Sequence, residues 1–104
     1  MKKVIDAIKQ FNKERDWDKF HTPENIAKSI VIEAGELLEC FQWGSEYDYK
    51  QVCDELADVM NYCIVMADKL GVDMETIVLN KLEETRAKYP VDKCKGVSTK
   101  YDKL

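Results

Sequence analysis

Residues 30–44 read IVIEAGELLECFQWG. With Ile26 before it, the stretch carries Ile26, Ile30, Ala34, Leu37 and Phe41 at steps of three and four residues, the spacing of one helical face. Glu33 falls among these apolar positions, and Glu36 and Glu39 follow at three-residue steps. A carboxylate on a face that packs is unfavourable unless something neutralises it. The helix starts at Thr22-Pro23-Glu24: threonine caps, proline suits the first helical position, and glutamate complements the dipole. It is expected to run to about Trp43, with Gly44 as its stop. Gly35 inside it costs about 1 kcal/mol relative to alanine, which suggests a second backbone packing close there.

The flanking segments repeat the helical pattern. Val4, Ile5, Ile8 and Phe11 predict a first helix over about residues 2–15, followed by RDWDKFH as a loop or frayed end. A third helix spans about Tyr49 to Leu70, with a core stripe of Val52, Leu56, Val59, Cys63, Met66 and Leu70 and a stop at Gly71. Asp73 caps a fourth, whose Ile77, Leu79, Leu82 and Ala87 are expected to face inward, and Pro90 terminates it. Residues 91–104 read as a polar, basic tail, and no segment alternates like a strand. The expected fold is all-α: one domain over residues 1–104, a four-helix bundle whose two long central helices are antiparallel neighbours. Two-sided apolar helices in so small a chain predict completion by oligomerisation, as a homodimer or homotetramer.

Composition narrows the function. The 104 residues are 45% hydrophobic and 35% charged, which is globular rather than disordered. No apolar run reaches the roughly 18–20 residues of a membrane helix, and the N-terminus lacks a signal-peptide apolar region. A cytoplasmic protein is expected, with no membrane partner. Cys40, Cys53, Cys63 and Cys94 form no CxxC and no zinc-site spacing, so they read as buried, reduced thiols. Net charge −4 argues against sequence-independent nucleic-acid binding.

The chemistry-bearing pattern is a pair of pairs. Glu33 and Glu36 form ExxE; Glu55 and Asp58, in DELAD, form ExxD, with 18 residues between. Each pair projects from one side of its helix. On facing antiparallel helices they would crowd four carboxylates around one point, and such a site suits Mg²⁺, with Mn²⁺ as the alternative, rather than zinc. Glutamate is also common on solvated helix faces, and spacing by itself leaves both readings open. A di-iron carboxylate bundle would want ExxH pairs, and the single histidine, His21, lies in none.

This ExxE–ExxD pattern resembles the MazG-like all-α nucleoside triphosphate pyrophosphohydrolases. RDWDKFH, EAGELLECFQW, DELADVMNY, KLEETRAKYP and KGVSTKY, in that order, resemble the dCTP pyrophosphatase branch over about Phe11 to Tyr101. The resemblance implies that Glu33, Glu36, Glu55 and Asp58 bind Mg²⁺ and that the reaction cleaves the α–β bond of a nucleoside triphosphate to monophosphate and pyrophosphate. One carboxylate would take the water proton, Glu36 first and Glu33 second. Glu39 extends the ladder as an outer contact or a solvated side chain.

The same resemblance places Trp17, His21 and Trp43 around the base, where indole faces stack on a pyrimidine. Otherwise Trp17 and Trp43 simply pack at helix ends. Lys81, Arg86, Lys100 and Tyr101 match the branch residue for residue and are the candidates for the phosphates. At Lys88 and Lys95 the branch more often has arginine. Tyr62, one turn after Asp58, is the candidate to border the sugar. Asn61 stands where the branch often carries an aliphatic residue, which bears on selectivity or simply faces solvent. The implied substrate is dCTP or a modified pyrimidine dNTP. Two other readings stay open: a non-catalytic helical module binding nucleotides or a protein, and the same chemistry on another (d)NTP.

Overall fold

The computed structural model describes residues 1–104 and is helical throughout, without strands. The helices are α1 (Lys2–Glu14), α2 (Pro23–Glu39), α3 (Tyr49–Leu70), α4 (Met74–Lys88) and α5 (Val91–Cys94); short 3-10 turns cover Asp18–Phe20 and Tyr101–Lys103. The all-α expectation is borne out. The chain divides into two units, Met1–Val72 and Asp73–Leu104.

Helix ends follow local chemistry. The Thr22 hydroxyl accepts from the Asn25 N–H (3.2 Å), the Asp48 carboxylate from Gln51 (2.9 Å), and Asp73 from Thr76 (2.9 Å). Each satisfies a backbone donor that the first helical turn leaves orphaned. Gly71 ends α3 in the left-handed region (φ 68°). There its N–H reaches Asp68 O (3.1 Å) and the Val72 N–H reaches Ala67 O (3.0 Å), a closure that favours glycine.

In the first unit α2 packs extensively on α3, and α1 packs on α3. Ile26, Ile64, Val65 and Ala67 are its buried apolar residues. The burial on α3 departs from the expected stripe. Val52, Val59, Cys63 and Met66 are half-buried, but Leu56 and Leu70 are exposed, and Ile64, Val65 and Ala67 are more buried than any of them. The C-terminal half of α3 serves two partners, α1 and α2, so its covered face is wider than one stripe. Lys9 to Asp68 (3.4 Å) and Lys69 to Asp18 (3.8 Å) tie α1 and the first 3-10 turn to α3 at the solvent-facing rim, where ion pairs contribute little.

Other local expectations change. RDWDKFH contains the 3-10 turn Asp18–Phe20 rather than only loop. α2 ends at Glu39, short of Trp43. Its exit tightens into i→i−3 bonds, Cys40 to Leu37, Phe41 to Leu38 and Gln42 to Glu39 (3.2, 3.0 and 3.1 Å). No backbone approaches Gly35: a Cβ there would meet nothing within 4 Å.

In the second unit Pro90 follows α4 as expected, but α4 has no buried residue; Ile77, Leu79 and Leu82, expected to face inward, are exposed. The tail contains α5 and the terminal 3-10 turn.

Candidate active site

The seam between α2 and α3 contains acids where its register calls for apolar residues. Along one face of α2 and its exit, Ile30, Glu33, Leu37 and Phe41 follow Ile26 as half-buried positions; on α3 Glu55 sits half-buried between Val52 and Val59. The helices run antiparallel: Glu33 feels Asp58, while Cys40, just past the end of α2, feels Glu55 and Asp48. Carboxylate oxygens of Glu33, Glu55 and Asp58 lie within 4.8 Å of one another.

This arrangement is electrostatically unfavourable as it stands. One oxygen of Glu33 and one of Glu55, both Oε2, are buried without a hydrogen-bond partner. Burial, then the adjacent Glu36, Asp58 and Glu55, hold the Glu33 carboxyl above its ordinary range. Burial also pushes Glu55 up, followed by Glu36, Asp58 and Asp54. Orphaned oxygens on two of three clustered carboxylates are a donor set that a hard divalent cation would satisfy. Glu36 is exposed and stands beside Glu33 and Glu55 without joining the three-oxygen group. Glu39 is exposed, in keeping with a solvated side chain.

The aromatic candidates sit on separate elements. Trp17 leads into the 3-10 turn, its N–H bonded to Asn12 O (3.0 Å) and its ring edge-on to Phe11 at 5.6 Å, so it does pack at a helix end. His21 closes that turn, half-buried, with Nδ1 enclosed and unpartnered. Trp43 lies on the turn after α2 and is 92% exposed, beside a cleft with Cys40, Ser45 and Glu46. An exposed indole next to an open cleft offers a face for stacking rather than a packing contact. Tyr62 is half-buried one turn beyond Asp58, and Asn61 is half-buried beside it rather than fully solvated.

The phosphate candidates belong to the second unit. Lys81 pairs with Glu84 (2.9 Å), and Arg86 pairs with Glu83. These exposed pairs hold the side chains weakly and leave the cations available. Lys100 precedes the terminal 3-10 turn, and Tyr101 opens it. Sequence reasoning missed Tyr89, whose hydroxyl accepts from the Tyr101 N–H (3.2 Å). Its only local signal was an aromatic residue before Pro90.

The profile of the MazG-like family matches residues 28–104. Rat dCTP pyrophosphatase 1 is 35% identical over 105 residues, covering 91% of this chain and 62% of that protein. The human dCTP pyrophosphatase 1 is 34% identical over the same extent. The chain thus spans less than two thirds of the curated relatives it matches. A crystal structure of a pyrophosphatase from Archaeoglobus fulgidus superposes with a TM-score of 0.79 at 36% identity, covering 86% of this chain and 92% of that one. The match includes both acidic pairs, and the chain belongs to the MazG-like family.

Proposed function

We propose that the chain is a Mg²⁺-dependent nucleoside triphosphate pyrophosphohydrolase that acts on dCTP or a modified pyrimidine dNTP. The observation that carries this reading is the convergence of Glu33, Glu55 and Asp58, with buried, unpartnered oxygens on Glu33 and Glu55. The names of the rat and human relatives and of the Archaeoglobus structure support the reaction class. Glu33, Glu36, Glu55 and Asp58 would hold Mg²⁺, or Mn²⁺ in its place. When bound, the ion neutralises the crowded acids and makes the triphosphate more electrophilic.

The chain's own groups do the rest. Glu36, with Glu33 as second choice, accepts the proton of the attacking water; the α–β phosphoanhydride breaks, leaving monophosphate and pyrophosphate. Trp43 and Trp17 stack against the base, and His21 hydrogen-bonds or stacks beside it. Tyr62 borders the sugar. Lys81, Arg86, Lys100 and Tyr101 hold the phosphates. Removal of a wrong or damaged precursor from the nucleotide pool is the role this chemistry serves.

Residues 1–104 act in this reading as one domain within a homodimer or homotetramer. The support is apolar surface without a cover: Val31 and Leu38 on α2 are 71% and 72% exposed, and Ile77, Leu79 and Leu82 on α4 are also open. A cytoplasmic setting suits four free cysteines, and no helix is long and apolar enough to cross a membrane.

The test is direct. The purified protein is incubated with each NTP and dNTP plus Mg²⁺, and products are identified by ion-exchange chromatography. Pyrophosphate with a monophosphate, fastest for dCTP or a pyrimidine relative, is the expected result. Orthophosphate release, or no turnover on any substrate, refutes the proposal and leaves a non-catalytic binding module.

A further inference from the structure

The C-terminal segment is fastened back onto the end of α4. Tyr89 leaves the helix (φ −124°, ψ 67°) while its N–H still bonds to Thr85 O (3.0 Å). The chain then runs through α5, turns at Gly96 (φ 79°), and returns. On its return the Tyr101 N–H donates to the Tyr89 hydroxyl (3.2 Å), and the two rings meet edge to face at 6.1 Å and 78°. The Lys88 ammonium lies 4.7 Å from the centre of the Tyr101 ring. The bonded N–H is the first donor of the terminal 3-10 turn, which has no partner inside the turn. The tyrosine hydroxyl therefore caps that turn from a residue twelve positions away.

We propose that Tyr89 is a positioning residue: its hydroxyl latches the returning arm so that Lys100 and Tyr101 are held ready for the triphosphate. The inference rests on the reading above that these two residues meet the phosphates. Lys100 directly precedes the latched N–H, so the latch restricts its backbone, while its side chain makes no part of the fastening. Without the latch the arm must be ordered by the substrate at each binding event, and the ordering entropy is subtracted from affinity. The arm contributes to binding and not to the bond-breaking step, so its loss raises KM and spares kcat.

The informative variant is Tyr89→Phe, which keeps the ring and removes the acceptor. Steady-state kinetics on the best dNTP should show KM raised about two- to tenfold, the range of one net hydrogen bond, with kcat within about twofold. Lys100→Met/Tyr101→Ala should raise KM by itself, and adding Tyr89→Phe to it should change nothing further, because the arm then presents neither group. Hydrogen exchange of peptides covering 96–104 should quicken in Tyr89→Phe while exchange across α4 stays unchanged. If Lys100→Met/Tyr101→Ala raises KM but Tyr89→Phe does not, the latch is refuted and the phosphate role of the arm stands. If the double variant leaves KM unchanged, the phosphate role itself falls and the proposal with it. Exchange that stays at the wild-type rate in Tyr89→Phe overturns the latch whether or not any dNTP is turned over.

Discussion

Replacing Glu33 by glutamine should make the metal-free protein more stable, and the size of the effect follows from the site. Oxygens of Glu33, Glu55 and Asp58 lie within 4.8 Å of one another. At that separation each neighbouring unit charge raises the energy of the Glu33 carboxylate by about 0.9 kcal/mol in a water-like dielectric and about 3.5 kcal/mol at an effective constant of 20. Glu33 is only half-buried, so solvent screening favours the lower figure. Glutamine keeps the shape, removes one charge from the group, and can donate its amide hydrogens to a neighbouring carboxylate. A net gain of about 1 kcal/mol is expected, or about 4 °C in Tm for a domain of this size.

The assay is thermal unfolding by circular dichroism, with EDTA and with Mg²⁺. In EDTA, Glu33→Gln should melt higher than wild type. With Mg²⁺ the gap should shrink, because wild type gains about 1.4 kcal/mol at a tenfold excess over Kd and the variant, short one ligand, gains less. A variant that melts lower than wild type in EDTA would refute the electrostatic reasoning, since it would mean the carboxylate contributes stability without any cation.

The pH dependence follows from the same groups. Glu33 and Glu55 have folded pKa values raised above 4.5, so the native state holds protons the unfolded chain has lost; their contribution is present below about pH 4.5 and is lost as pH rises through the raised values. Urea midpoints in EDTA should therefore fall over this window, and Glu33→Gln/Glu55→Gln should flatten the fall; an unchanged slope would contradict it. Glu36→Gln and Asp58→Asn should each lower kcat by at least about a hundredfold, with Tm shifted by less than a few degrees because both residues are exposed. Near-normal turnover in either removes that residue from the site. Trp43→Ala should raise KM for a pyrimidine dNTP about five- to a hundredfold, the range of one base-aromatic stack, and leave Tm unchanged because the indole is 92% exposed; a lower Tm with unchanged KM would make it a packing residue.

What the sequence makes legible is what neighbours along the chain decide. Thr22, Asp73 and Gly71 mark helix ends because their bonds reach residues three to five positions away. The acids on the seam are legible for the same reason: the helical repeat puts Glu33 among Ile30, Leu37 and Phe41 without any knowledge of the partner helix. Features set by distant residues were not. The wide buried face of late α3 depends on α1, and the Tyr89 contact spans twelve residues through a turn that has no periodic signature. The early end of α2 was hidden because LECFQW keeps helical spacing although its backbone has already tightened to i→i−3 bonds. Inward-facing positions on α4 were misread because periodicity identifies an apolar face, not whether anything in the chain covers it.

Glu33 shows how the fold and the proposed chemistry compete for one position. A leucine there would add to the run of Ile26, Ile30 and Leu37, and burying such a side chain contributes about 1.5–3 kcal/mol. Glutamate forgoes that gain and adds repulsion, in a unit whose buried apolar residues are Ile26, Ile64, Val65 and Ala67. Of these only Ile26 lies on α2; the others cluster on the C-terminal half of α3, where α1 also packs. The separation is functional in consequence: the well-buried end can hold the helices parallel to their seam while the acidic stretch keeps its spacing under repulsion. Filling the acidic end with leucine at both 33 and 55 should therefore raise Tm and abolish both turnover and the Mg²⁺ response. A double variant Glu33→Leu/Glu55→Leu that melts no higher than wild type in EDTA would mean that the seam is shaped around the carboxylates rather than strained by them.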